Sequence, residues 1–143
     1  MFEETIAASQ RLITEAFGEG NLDLIDELCA ENFLGHDALA GDQDREASKR
    51  TMAGYRGAFP DLSFTINDVF ASGDRTAIRW TAEGTFENEL LGLQPTGERG
   101  APIEGITIDR FEDGLIVESW TQWDTLQFMR DIGAVPEGAA TAQ

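Results

Sequence analysis

The feature that most constrains the fold is a change of hydrophobic period at Pro60. Before Pro60, apolar residues recur every three to four positions, which is typical of amphipathic helices. These helical segments span residues 3–17, 22–29 and 44–58. After Pro60, apolar and polar residues alternate, which predicts strands. The strand segments span residues 62–71, 75–86, 101–111 and 115–123. Helices that precede strands in this way predict an α+β domain.

The turn chemistry between the last two strands predicts their pairing. Asp113-Gly114 is the strongest short-range hairpin signal, so Ile103–Phe111 and Leu115–Trp123 are predicted to be antiparallel neighbours. A final helix is predicted from Thr125 to Ile132. Asp124, directly before it, is predicted to cap its N-terminus. Residues 31–41 show no clear period and are predicted to be irregular.

The length of 143 residues fits one domain, predicted over residues 1–135, with a flexible tail at 136–143 that is too small and polar to pack. We expect helices packed on a strongly bent antiparallel sheet, which curls into a cone-shaped α+β barrel and encloses a cavity. The convex face of such a sheet is still apolar, which predicts a homodimer.

Charge and cysteine content exclude several classes of partner and site. Ten Lys and Arg face 27 Asp and Glu, a net charge of −17, so nucleic acid and anionic membranes are not expected partners. No apolar run approaches the roughly 20 residues that span a bilayer. One cysteine, Cys29, and acids at the N-terminus predict a reduced, cytoplasmic protein. With one histidine, His36, we expect neither a metal nor another cofactor.

Several motifs together resemble the SnoaL-like polyketide (ester) cyclase family. They are the run from Gly105 to Trp120 around Asp113-Gly114, then Trp123-Asp124, and upstream Phe33-x-x-His36-Asp37 and Phe59-Pro60-Asp61-Leu62. The resemblance covers about residues 3–135. It implies the cone-shaped fold of the nuclear transport factor two-like superfamily, which hosts enzymes of several reaction types as well as non-catalytic binders.

At two positions the chain departs from the pattern that the resemblance implies. The aldol-condensing cyclases of the family have a histidine six residues before the hairpin aspartate and an aspartate eight residues after it. Counted from Asp113, these positions hold Thr107 and Thr121. The aldol-cyclase mechanism therefore does not carry over. The related epoxide hydrolases also keep the later aspartate, so Thr121 counts against hydrolysis of that type.

The first candidate for catalysis is Asp109, which shares a strand face with Thr107. The resemblance implies that this face lines the cavity. There Asp109 would project into an apolar pocket, and desolvation would raise its pKa toward the range useful for acid–base catalysis. The alternative is that Asp109 pairs with Arg79 or Arg110, or lies in water at a strand end.

His36 and Arg79 are the other two catalytic candidates. His36 titrates near neutral pH and would shuttle a proton at the cavity mouth; the alternative is a loop histidine that caps a backbone group. Arg79 lies among apolar neighbours and would bind a substrate carboxylate or enolate. Its alternative role is a structural ion pair with Asp109 or Glu83.

A further group of residues is predicted to bind substrate, with core packing as the plain alternative for the aromatic members. Tyr55 would in addition donate a hydrogen bond to a developing oxyanion. The predicted binding residues are Tyr55, Phe59, Trp80, Phe86, Thr107, Thr121 and Trp123.

From these observations we expect a cyclase- or isomerase-type enzyme that performs cofactor-free acid–base chemistry on a small hydrophobic, polyketide-like carbonyl compound. One alternative is a non-catalytic module of the same fold that binds a small molecule or dimerises. A second alternative is a cofactor-independent oxygenase or a hydrolase.

Overall fold

A computed structural model describes residues 2–135 of the chain, so the predicted tail at 136–143 lies outside the described residues. The helices are α1 (Glu3–Arg11), α2 (Leu24–Leu28), α3 (Arg45–Ala58) and α4 (Thr125–Asp131), and α1 continues into a π-helical segment, Leu12–Gly18. The strands are β1 (Cys29–Asp37), β2 (Gly41–Gln43), β3 (Ser63–Ser72), β4 (Arg75–Glu83), β5 (Ile103–Glu112) and β6 (Leu115–Trp123).

The six strands form one bent sheet in the order β2-β1-β6-β5-β4-β3. The predicted hairpin is confirmed, because β5 and β6 pair antiparallel around a turn in which Asp113 and Gly114 have φ values of 52° and 80°. Two positive φ values are what a tight two-residue hairpin requires. The predicted cap of α4 is also present, since the Asp124 carboxylate accepts a hydrogen bond from the Gln127 amide.

The prediction for residues 31–41 was wrong, because they contain most of β1 and the start of β2. The register of β1 against β6 shifts between Cys29 and Leu34, so no regular alternation shows in the sequence. β1 also runs parallel to β6, and the sheet is therefore mixed rather than wholly antiparallel. The strand predicted at 75–86 ends at Glu83, and residues 84–102 form an irregular connection.

The two faces of the sheet differ in what covers them. In β5 the inward residues, among them Thr107 and Asp109, are buried, whereas Ile106 and Ile108 on the outward face are exposed. The helices cover the inner face. Apolar side chains also remain exposed on the outer face: Leu34, Phe70, Ile106 and Ile108.

Three apolar clusters pack inside the fold. The first joins α1, the π-helical segment and α2 to β1, Phe111 and Ile116, the second gathers Phe59, Phe86 and Phe128, and the third contains Ile13, Ile78 and Trp80. Members of all three border a cavity. The predicted α+β cone with helices on a bent sheet is confirmed.

Candidate functional site

The interior holds a cavity of about 180 Å³ whose walls are mainly aromatic and aliphatic. Of the seven predicted binding residues, six line it: Tyr55, Phe59, Trp80, Thr107, Thr121 and Trp123. Phe86 does not line it, because its fully buried ring stacks behind Phe59 with 5.4 Å between the ring centroids. That these six residues bind substrate remains a prediction, but all six lie around the same cavity.

Strand pairing brings three polar side chains into one row across the inner face. Asp37 of β1 is in register with Thr121 of β6, and Thr121 is in register with Thr107 of β5. All three line the cavity. We call Asp37, Thr121 and Thr107 the open row because they border the cavity. Neighbouring strands lie about 4.8 Å apart, so these three side chains are adjacent on one face of the sheet.

Asp37 was not among the predicted site residues, although it lies in the Phe-x-x-His-Asp motif. Its Oδ2 accepts hydrogen bonds from the backbone amides of Leu39 and Ala40, both at 2.9 Å. Trp123 Nε1 donates to Oδ1 at 3.2 Å and to Oδ2 at 3.3 Å. Oδ1 has no other donor among residues 2–135, so the carboxylate is held in place with one oxygen available to a ligand.

The two threonines of the open row form a short hydrogen-bonded chain with an indole. Trp80 Nε1 donates to Thr107 Oγ1 at 3.1 Å, and Thr107 Oγ1 lies 3.0 Å from Thr121 Oγ1. The indole reaches this position because Gly105 leaves space for it. A Cβ at Gly105 would collide with the Trp80 ring.

Asp109 lies in the neighbouring row of the same face, behind the cavity wall. Its side chain is 1% exposed and accepts hydrogen bonds from Ser119 at 2.5 Å and Ser9 at 2.7 Å, and Ser9 Oγ lies 2.6 Å from Thr76 Oγ1. We call Asp109, Ser9, Thr76 and Ser119 the closed row. Burial raises the pKa of Asp109, and the hydrogen bonds from Ser119 and Ser9 oppose that rise.

Asp109 does not line the cavity, contrary to the expectation that its carboxyl group projects into it. Helix α1 places Ser9 over this part of the sheet and encloses the carboxyl group. Neither Arg79 nor Arg110 contacts Asp109, so the predicted ion-pair alternative was also wrong. Of the closed row, Ser119 borders the cavity.

The His36 ring lies on the outer face of the sheet. Its Nδ1 is 2.8 Å from Asp42 Oδ1, its Nε2 is 2.7 Å from Glu118 Oε2, and the ring stacks on Trp120. The hydrogen bonds to Glu118 and Asp42 raise the pKa of His36. The alternation of β1 places the ring on the face opposite Asp37, and His36 is also among the residues that border the cavity. The alternative of a loop histidine was also wrong, because His36 belongs to β1.

Arg79 also lies on the outer face, which separates it from the cavity. Its guanidinium is 3.5 Å from Asp68 and 3.8 Å from Glu104, so the strand acids that pair with it are not the predicted Asp109 or Glu83. Its side chain is 45% exposed. The position on the outer face follows from the alternation of β4, in which Ile78 and Trp80 point inward.

Tyr55 extends from α3 into the cavity wall. Its ring meets Trp123 and Phe128 edge to face, with centroid distances of 6.3 Å and 5.7 Å. Burial, with a smaller contribution from Asp37, raises the pKa of Tyr55 to about 12. The phenol therefore stays protonated at neutral pH and can act as a hydrogen-bond donor.

The charged side chains that line the cavity are mostly acidic. The acidic residues among them are Asp37, Glu83 and Asp131, of which Glu83 is paired with Arg99 at 3.1 Å, and no lysine or arginine of residues 2–135 lines the cavity. Within the same residues, no three His, Cys, Asp or Glu side chains come together as a group able to hold a metal ion. None of the helices described here is long and apolar enough to cross a membrane.

The cone-shaped α+β fold is shared with solved structures. AclR, a proposed hydroxylase from Streptomyces galilaeus, is 26% identical with a TM-score of 0.82, covering 95% of this chain and 99% of AclR. IdmH, a proposed polyketide cyclase from Streptomyces antibioticus, is 30% identical with a TM-score of 0.79, covering 92% of this chain and 99% of IdmH. No curated protein matches the chain in sequence.

The sequence pattern of the SnoaL-like polyketide cyclase family matches residues 7–132. The chain belongs to this family, which confirms the predicted resemblance. A structure from Burkholderia pseudomallei, described as NTF2-like and of unknown function, is 17% identical with a TM-score of 0.74, covering 91% of this chain and 98% of that one, and it shares the fold alone.

Proposed function

We propose that the protein transfers protons at the carbon next to a carbonyl group in a small hydrophobic compound, without a cofactor, in a cyclase- or isomerase-type reaction. Membership of the cyclase family and the similarity to IdmH support a reaction of this kind. Asp37 is the base in this proposal, in place of the predicted Asp109 and His36.

The observation that carries the proposal is the position of Asp37. A carboxylate oxygen with unused acceptor capacity faces an apolar cavity, directly beside two hydroxyl groups of the open row. A bound carbonyl compound that directs its oxygen to the hydroxyls brings its adjacent carbon toward Asp37. A base must lie within hydrogen-bond reach of the proton that it removes, and this arrangement supplies that geometry.

In the proposed reaction, the carbon–hydrogen bond next to the carbonyl breaks and its proton passes to Asp37 Oδ1. The electron pair moves to the carbonyl oxygen and leaves an enolate. Where the enolate is conjugated with a carbon–carbon double bond of the substrate, return of the proton to the far carbon of that system gives an isomer. Attack of the enolate carbon on a second carbonyl of the same molecule instead closes a ring, and the new alkoxide takes the proton back from Asp37.

Asp109 takes a different part in this proposal from the one first predicted. It holds Ser119 in place through a 2.5 Å hydrogen bond, and Ser119 borders the cavity. Asp109 therefore acts through Ser119 as a positioning residue. His36 and Arg79, on the outer face, are assigned no contact with substrate.

The proposal is tested by hydrogen–deuterium exchange into 1-tetralone, an uncharged two-ring ketone, followed by NMR in D₂O. The wild-type protein should exchange the protons next to the carbonyl faster than buffer. Asp37→Asn should reduce the catalysed rate by about 100-fold or more, the usual contribution of a general base. An unchanged rate in Asp37→Asn would refute the assignment of the base.

The second candidate is a non-catalytic module that binds a small hydrophobic molecule. Thr107 and Thr121 favour it, because neither can replace the acid–base residues that the resemblance implies at those positions. In the same experiment, binding of 1-tetralone with exchange no faster than in buffer would support this candidate. The similarity to AclR keeps oxygenation as a third outcome, which an oxygen electrode would detect.

The partner in the proposal is a second copy of the chain, bound through the outer face of the sheet. Phe70 and Ile106 are 62% and 49% exposed there, beside Ile108 and Leu34. Exposed apolar groups that share one sheet face are typical of an interface. Ile108→Glu should convert a dimer into a monomer in analytical ultracentrifugation.

The proposal places the protein in the cytoplasm, where Cys29 remains a thiol.

A further inference from the structure

We propose that Thr107 and Thr121, with Trp80 behind them, form a hydrogen-bond-donor site for the carbonyl oxygen of a neutral ketone or ester of one or two rings. This inference rests on the proposed function and deepens it. It assigns the stabilisation of the enolate to two threonines instead of Arg79 or Tyr55.

The direction of the hydrogen bonds follows from counting protons. The indole N–H of Trp80 can only donate, so Thr107 Oγ1 accepts from it at 3.1 Å. Thr107 and Thr121 share one hydrogen bond at 3.0 Å, which uses one of their two hydroxyl protons. Whichever threonine donates, the other hydroxyl proton has no acceptor among residues 2–135.

The remaining hydroxyl proton of the threonine pair lies in mainly apolar surroundings, where it needs a hydrogen-bond acceptor. Thr107 is 4% exposed, and both threonines border a cavity with mainly apolar walls. A hydroxyl donor left without an acceptor in such surroundings is unfavourable, and an acceptor on a ligand removes that penalty. The Trp80 donor also polarises the chain toward the cavity, which strengthens the final hydrogen bond.

The other donors of the site are less suited to this role. The Ser119 proton is used in its hydrogen bond to Asp109. Tyr55 approaches from α3, on the opposite wall from the sheet, and its ring is held edge to face by Trp123 and Phe128. The threonine pair instead lies next to Asp37 in the strand register. The threonines can therefore contact the carbonyl oxygen of a ligand while Asp37 contacts the reacting carbon of the same ligand.

Cavity size and charge define the ligand class. An apolar cavity of roughly 150 Å³ is known to hold benzene, so the present 180 Å³ suits one or two fused rings. Asp37 and Asp131 line the cavity without an ion-pair partner among residues 2–135, and no lysine or arginine of these residues lines it. This negative charge disfavours carboxylates and phosphates and favours an uncharged ketone or ester.

The test compares 1-tetralone with tetralin, which has the same rings and no carbonyl group. Infrared difference spectra of 1-tetralone labelled with ¹³C at the carbonyl should show a lower C=O stretching frequency when bound to wild type than in hexane. Either threonine alone keeps a hydroxyl proton without an acceptor, so the double variant Thr107→Val/Thr121→Val should return this frequency to the hexane value. The double variant should weaken the binding of 1-tetralone by about five- to tenfold and leave the binding of tetralin unchanged.

Two control variants separate the threonines from their neighbours. Thr121→Ser keeps a hydroxyl and should keep the lowered frequency, and Tyr55→Phe should keep it as well. The proposal is overturned if the lowered frequency persists in the double variant Thr107→Val/Thr121→Val, or if it disappears in Tyr55→Phe. It is also overturned if wild type fails to bind 1-tetralone or leaves its C=O frequency at the hexane value. Failure of the proposed function would show separately, as exchange unaffected by Asp37→Asn while the frequency shift remains.

Discussion

The open row and the closed row lie side by side on one face of the same sheet and differ in what covers them. Each contains one carboxyl group and two or more hydroxyl groups. In the closed row, Ser9 from α1 completes the hydrogen bonds of Asp109. In the open row, Asp37 keeps an oxygen toward the cavity. The comparison teaches that burial alone does not mark a reactive carboxyl group; access to a ligand does.

The largest expected effect separates the two rows by stability. Asp109→Ala removes the acceptor of Ser9 and Ser119 and leaves a hollow in a fully buried place, so we expect the free energy of unfolding to fall by about 3 kcal/mol. Asp37→Ala, in a partly open position, should cost about 1 kcal/mol. Urea denaturation of both variants measures the difference, and equal losses would remove the distinction between the rows.

The next effect concerns the support of the open row by Trp80. Gly105→Ala places a methyl group inside the Trp80 ring, which must move, and should cost about 2 kcal/mol of unfolding free energy. Gly54→Ala is the matched control, because a methyl group there meets nothing within 4 Å and Gly54 lies in α3. That change should stabilise the protein by about 0.5–1 kcal/mol. A neutral result for Gly105→Ala would mean that the indole position is not fixed.

The sequence predicted the strands that carry the site better than it predicted the residues to which we assign the chemistry. The period change and the Asp113-Gly114 turn predicted β3 to β6, and alternation predicted that Thr107 and Asp109 share a face, which the family resemblance directed toward the cavity. Asp37 was missed because its place depends on a parallel pairing between β1 and β6, which no local pattern indicates. The enclosure of Asp109 depends on Ser9, 100 residues away in the chain.

His36 and Arg79 also show how far the sequence could predict the site. His36 and Arg79 are residue types that suit catalysis, but the alternation of their strands places both on the outer face, with acidic partners. For Arg79 the alternation was visible in the sequence. For His36 it was not, because the register shift in β1 hides it.

A smaller effect is the pH dependence that Asp109 gives to stability. Its pKa is raised in the folded state, so its contribution is fully present below its unfolded pKa of about 3.9 and is lost as pH rises through the folded pKa. Asp109→Asn removes this loss. Relative to wild type, the variant should therefore gain stability as pH rises above about 4. A pH-independent difference in urea denaturation would contradict this reading.

The smallest effect is that of His36, on the outer face. Hydrogen bonds to Glu118 and Asp42 raise its pKa, so its contribution to stability is present below about pH 6.5 and is lost as pH rises through the folded pKa. The destabilisation caused by His36→Phe should thus shrink between pH 6 and higher values. Turnover and ligand binding should not change in His36→Phe. A loss of proton exchange in this variant would instead show that the imidazole takes part in the reaction.

The most direct test of the account observes the two carboxyl groups themselves. In protein labelled with ¹³C at the aspartate carboxyl carbons, the signals of Asp37 and Asp109 are assigned by their absence in Asp37→Asn and Asp109→Asn. Titration with 1-tetralone should shift the Asp37 signal and leave that of Asp109 in place. A shift of the Asp109 signal with an unchanged Asp37 signal would contradict the account.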